Sequence, residues 1–356
     1  MLSHASPTYT GAKALKNMRL SQDLLDKLHD QHRRFVEGKP GGRKAVLRHC
    51  TLEGLRFDGM DFAESEFFAC DFKAAKLKRA SFRFAQLFGA CFDEADLSHA
   101  DFFKADLRAT TFEGANLTST DLEGADLREG AIMDVARREV TVDTGSTFRC
   151  ATLRGTNLAS SKLKSVDFSG AILDHANLKD ADVRCALFHG AELIDANLEG
   201  ARLDEADLRS AAISGAGAES LNLGLALVAT RAQRDPETIA RVLQEHEEWF
   251  HHGGKAGRQA DFSGSDLSDF DLAGANLALA NLEMTNLVGA NLNGALLAAA
   301  RLRGANLLRA KLVGADLRGA DLLNANLRDA DMKDAKVGQL PGTGLMTQLA
   351  DLQGEA

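Results

Sequence analysis

The chain has 356 residues, 45% of them hydrophobic and 26% charged, with a formal net charge of −9. That balance argues against a general basic surface for nucleic acid or an anionic membrane. No apolar run approaches a membrane span, and the stretch Met1-Leu-Ser-His-Ala-Ser-Pro7 lacks an apolar signal core, so a cytoplasmic location is expected.

In chain order, residues 1–50 read as a loose polar tail followed by a helix. The helix is predicted from about Ser21 to Glu37, with Ser21 as N-cap and a stripe of Leu24, Leu25, Leu28, His32, Phe35 and Val36. Gly38, Pro40, Gly41 and Gly42 stop it. From 51 to 215 the chain keeps a five-residue beat. A large apolar residue stands at 52, 57, 62 and every fifth place to Ile132, with a small residue two before it and Asp or Asn one before it. Residues 133–147 break the beat, either as a bulged coil or as a projecting loop. The beat resumes with Phe148, Leu153 and Leu158 and runs to Ile213.

Residues 216–259 form a linker and a second helix, Pro236 to about His251, with Asp235 as N-cap. The stretch 260–340 repeats the beat most plainly, as in Ala260-Asp-Phe-Ser-Gly264. Residues 341–356 are a short tail that suits a final cap or a self-association helix, and so a homodimer. The two helical segments correspond: His32, Phe35 and Ala45 parallel His246, Trp249 and Ala260, and each set precedes a repeat run. All four prolines fall outside the runs, where none removes a ladder hydrogen bond.

A period of five suits neither a helix nor a flat strand. The small and large residues are two apart and share one face of a short extended segment, after which the chain must turn. Four sides and four corners close a coil of about twenty residues, and stacked coils make a solenoid. On that spacing Phe62, Phe82 and Phe102 stack on one side, and Phe72, Phe92 and Phe112 on the opposite side. Cys50 and Cys70 stack as buried thiols within disulfide range.

The Ala-Asp/Asn-Leu units resemble the pentapeptide-repeat family, across about two-thirds of the chain. The resemblance implies an all-β solenoid, a right-handed quadrilateral parallel β-helix, with the helices before the first and third runs as caps. Family members are linked to DNA mimicry at type II topoisomerases such as gyrase, to effectors, and to undefined roles.

No catalytic, cofactor or metal constellation stands out. Gly253-Gly-Lys-Ala-Gly-Arg258 reads as a helix stop, and His246, His251 and His252 as part of a helix end. The five cysteines show no metal-ligand spacing. The acidic residues are the sharper feature. Residues 51–132 hold sixteen acids and nine bases, whereas residues 260–337 hold ten and eight. Asp61, Asp101 and Asp121 fall in one outward column, and Glu66, Asp106 and Asp126 in its neighbour. The expected function is a non-enzymatic, bacterial-type rigid scaffold with a protein partner. The alternatives are a DNA mimic that sets these six carboxylates against a DNA-binding enzyme, and a secreted effector. Direct nucleic-acid and membrane contacts are not expected.

Overall fold

The computed structural model describes residues 14–134, 139–214, 226 and 235–349. Two compact units emerge. The first comprises residues 1–166, 176–182 and 197–201, and the second residues 167–175, 183–196 and 202–356.

In the first unit each coil stacks on the next through parallel rungs twenty residues apart, such as Asp61 with Ser81 and Ser81 with Asp101. The large residues point inward, and Phe62, Phe72, Phe82 and Leu97 are fully buried. After nearly every large residue the chain makes a β-turn: Ala80 N donates to the Leu77 carbonyl at 3.0 Å across Arg79, whose φ is +58°. That third place of the turn is left-handed throughout. Glycine serves it at no cost, yet Glu64, Phe84 and Lys104 hold it at φ of 61°, 57° and 53°.

Two phenylalanine ladders run up the column. Phe82 stacks on Phe102 at 5.2 Å between ring centroids, and Phe72, Phe92 and Phe112 follow at 4.6 and 5.2 Å. The second ladder continues to Phe148, which stacks on Phe112 at 4.7 Å. The backbone rung Thr111–Thr147 agrees. Ile132, expected as the last inward residue of its run, instead lies in β4 (Gly130–Asp134), which pairs antiparallel with β5 (Glu139–Thr144). The break is therefore a hairpin inserted into one coil. The coil above it restores the register because rung pairing and ring stacking both select Phe148.

The described part of the N-terminal segment is not loose. β1 (Leu15–Lys16) pairs with β2 (Val46–Arg48), which pairs with β3 (Glu66–Phe68). Edge groups of the first coil thus acquire partners. Helix α1 spans Gln22–Val36, and the Ser21 hydroxyl accepts from Leu24 N. Its His32 is wholly buried. Ala45 N donates to His32 Nδ1 at 3.1 Å, so Nε2 carries the proton and donates to the Ala63 carbonyl at 2.9 Å.

In the second unit β6 (Glu192–Ile194) pairs in parallel with β7 (Ala212–Ser214), and Phe168 stacks on Phe188 at 5.0 Å. Helix α2 spans Pro236–His251, with the Asp235 carboxylate accepting from Thr238 N at 3.0 Å. It repeats the arrangement at α1. His246 is buried, Ala260 N donates to its Nδ1 at 3.0 Å, and its ring stacks on Trp249 as His32 stacks on Phe35. From Phe262 the column is lined by leucine up to Leu327. The tail forms no helix among the described residues. β8 (Asp321–Leu322) pairs with β9 (Gln348–Leu349), and Gln339 bridges Met346.

Candidate interaction surface

The outward residues divide into those the fold itself uses and those it leaves to solvent. The place before the large residue belongs mostly to the first group. Its carboxylate or amide oxygen accepts the backbone N–H two residues on, capping the turn. Asp61 caps Ala63 at 2.9 Å, Asp101 caps Phe103 at 3.0 Å and Asp121 caps Glu123 at 3.0 Å. Asp106 and Asp126 cap Arg108 and Arg128 in the same way, each at 3.3 Å. Asparagine adds a bond between coils. Asn157 Nδ2 donates to Asp121, Asn177 to Asn157, and Asn197 to Asn177.

Cations close around some of the remaining oxygens. Arg108 and Arg128 each grip the aspartate two residues earlier through Nε and Nη2, and Arg209 and Arg318 repeat the pattern on Asp207 and Asp316. Each pair comes from an Ala-Asp-Leu-Arg unit. Arg83 reaches across the coils to Asp101 at 2.8 Å, and Lys44 pairs with Glu66 at 2.9 Å. Partial burial pushes the Asp126 carboxyl up, but donation from Arg128 and Lys162 outweighs it and brings the carboxyl down to about 2. Of the six candidate carboxylates, Glu66, Asp101, Asp106 and Asp126 thus carry a cation, and Asp61 and Asp121 serve the turns.

The second group includes much of the coil 71–90, which has five cations against one carboxylate. Lys73 pairs with Glu94, and Arg83 with Asp101. Lys76, Lys78 and Arg79 make no ion pair among the described residues, nor does Arg56, one rung from Lys76 in the same column, and all four are exposed. Round the corner Phe84 is 47% exposed in its left-handed conformation and meets Phe103 edge-on at 5.5 Å. The Arg83 guanidinium lies over the Phe103 ring at 4.3 Å and the Lys104 ammonium at 4.9 Å. Phe68 and Phe88 stack outside the column at 5.5 Å, and a Cβ on Gly130 would stand 2.5 Å from Phe88 Cε2, so the hairpin begins against that ring. Periodicity did not single out these outward aromatics. Their signal is a second phenylalanine one or two places after the large residue.

No described group of three or more His, Cys, Asp or Glu side chains is arranged to hold a metal ion. His251 bonds Glu247 within α2, and His252, the residue that caps its end, bonds the Glu248 carbonyl. Cys50 and Cys70 are buried free thiols, and burial pushes Cys70 up to about 12. No described helix is long and apolar enough to cross a membrane.

The model for pentapeptide repeats matches eight times, at residues 65–102, 95–129, 144–174, 151–188, 171–209, 184–216, 258–294 and 295–335, together more than half of the chain. The chain belongs to the pentapeptide-repeat family. Its coil is the right-handed β-helix of that family. Among solved structures it is similar to HetL, a pentapeptide repeat protein involved in heterocyst differentiation regulation from Nostoc sp. strain PCC 7120. That match has 21% identity, covers 88% of this chain and 95% of that one, and has a TM-score of 0.27. It is also similar to QnrB1, a plasmid-mediated fluoroquinolone resistance protein, at 17% identity over 64% of this chain and 96% of that one, with a TM-score of 0.33. Rfr23 from Cyanothece 51142 matches at 17% identity over 50% and 88%, with a TM-score of 0.23. Membership rests on the repeat model rather than on these neighbours. Comparison with curated protein sequences gives no significant match.

Proposed function

We propose that this pentapeptide-repeat protein is a rigid, non-enzymatic scaffold that presents outward side chains to a protein partner. The observation that supports this reading is the division of the surface. The six candidate carboxylates are tied into turns or ion pairs, whereas the coil 71–90 projects Lys76, Lys78, Arg79 and Phe84 outward. Rung pairing holds those groups at fixed spacing, so little side-chain order remains to be lost on docking. In this reading α1 and α2 close the open starts of two repeat columns. The test is purification of the tagged protein at native abundance, with nuclease treatment and cross-linking. The expected result is a stoichiometric protein companion cross-linked to outward positions. A protein that purifies alone, or that turns over a substrate, contradicts the reading.

A second reading is DNA mimicry toward a type II topoisomerase, favoured by the rungs Asp61, Ser81, Asp101 and Asp121, which keep carboxylates in one straight outward row. It predicts a complex that weakens steeply with salt. A salt-insensitive complex counts against it.

A further inference from the structure

We infer that Arg56, Lys76, Lys78 and Arg79, with Phe84 at the neighbouring corner, form a docking site for an acidic polypeptide segment. This deepens the scaffold reading by naming one surface and the chemistry of its partner.

Three observations converge. First, the four cations make no ion pair among the described residues, whereas Lys73 and Arg83 of the coil 71–90 do. Arg56 and Lys76 occupy consecutive rungs of one column, about 4.8 Å apart along the stacking direction. Like charges at that separation repel, and no ion pair among the described residues involves either of them. An incoming carboxylate row relieves that repulsion. Second, Arg79 and Phe84 stand at successive corners of the coil and project outward. Phe84 leaves an aromatic ring 47% exposed. Exposing that ring does not stabilise the isolated coil. An exposed aromatic beside cations is the usual composition of an interface anchor. Third, the patch is bounded. Asp58 and Asp96 flank it, Asp61 and Asp71 lie on the adjoining sides, and the chain as a whole carries −9. A nucleic-acid strand extending past the four cations would meet these carboxylates. A short acidic peptide fits within them, so an acidic protein segment is the favoured occupant.

The test is fluorescence anisotropy of a labelled poly-glutamate peptide titrated with the full chain, at low and at physiological salt. Single-stranded and duplex oligonucleotides form the second arm. The native protein is expected to bind the peptide in a salt-dependent manner, and more tightly than either oligonucleotide. The variant K76E/R79E should lose affinity by about tenfold or more, since two attractions become repulsions. A control, R309E/K333E, changes the net charge equally at exposed positions elsewhere and should bind as the native chain does. Thermal melting of both variants separates lost binding from lost folding. The inference is overturned if the peptide does not bind, if K76E/R79E binds undiminished at native melting temperature, if R309E/K333E loses as much affinity, or if an oligonucleotide binds more tightly. A companion captured equally well by K76E/R79E overturns this site and leaves the scaffold standing. Absence of any companion, with the peptide still bound, does the reverse.

Discussion

The aspartate before each large residue offers a carboxylate oxygen to a turn N–H that no rung bond reaches, and asparagine does the same while donating to the coil below. The preference for these two residues therefore follows from hydrogen bonding before any partner is considered. Asp121 separates the roles well, since its Oδ1 accepts from Glu123 N and from Asn157 Nδ2, both at 3.0 Å. Asp121→Asn should melt with the native protein, whereas Asp121→Ala should lose about 1 kcal/mol, checked by urea denaturation. The place was legible in the sequence. Its neutralisation was only half so: Arg108 follows Asp106 by two residues, whereas Arg83 and Asp101 are eighteen apart and meet only because the coils stack. His32 gives a pH prediction. Burial lowers it from 6.5 to about 4, against the smaller opposing pull of its bond to Ala63. The unfolded chain takes up this proton near pH 6.5 and the folded chain only near 4. The stabilisation is whole above 6.5, is lost as pH falls to 4, and amounts to about 3 kcal/mol. Chemical denaturation across that window should show the loss, and His32→Leu should show a shallower one, with His246 lowered in the same sense.

At the scale of elements, the ladders were legible because five-residue spacing and four sides place every fourth large residue in one stack. Phe92 lies between Phe72 and Phe112 in such a stack, wholly buried. Phe92→Ala should cost about 3–5 kcal/mol, and Phe92→Leu much less, since leucine fills the same place in the later column. The hairpin was not legible as a hairpin, since Ile132 happens to fall on the beat and extends the pattern by one false unit. Joining Glu129 to Ser146 returns the spacing of Phe112 and Phe148 from 36 to the ordinary 20. That deletion should leave circular dichroism and the melting transition of the column in place, and an unfolded product would show that the hairpin is part of the column's support. The helices were legible from caps and stripes. The pairings of β1 with β2 and of β9 with β8 were not, because two-residue strands carry no period.

At the scale of the molecule, repeat pattern reports what each coil does to the next and is silent on contacts between distant repeats. In the second unit Arg328 pairs with Glu192 at 2.8 Å, and the Glu192 side chain is 1% exposed. Asn306 and Asn326 donate to the carbonyls of Ser210 and Gly190. Nothing in the beat distinguishes these asparagines from others. Arg328→Ala withdraws a guanidinium from a buried carboxylate and should cost about 3 kcal/mol, more than removing any exposed arginine, as thermal melting would show. The charge pattern of the whole chain bears on function in the same way. The six candidate carboxylates are engaged by turns or by cations, whereas Arg56, Lys76, Lys78 and Arg79 make no ion pair among the described residues. The most direct measurement of that account is DNA supercoiling by purified gyrase, with the native protein titrated to micromolar concentration beside a variant carrying Asp61→Asn, Asp101→Asn, Asp106→Asn and Asp121→Asn, which keeps the turn caps and removes the charge. The account predicts that neither protein alters supercoiling. Inhibition by the native protein that the variant lacks would contradict it and make the carboxylate row a surrogate for DNA.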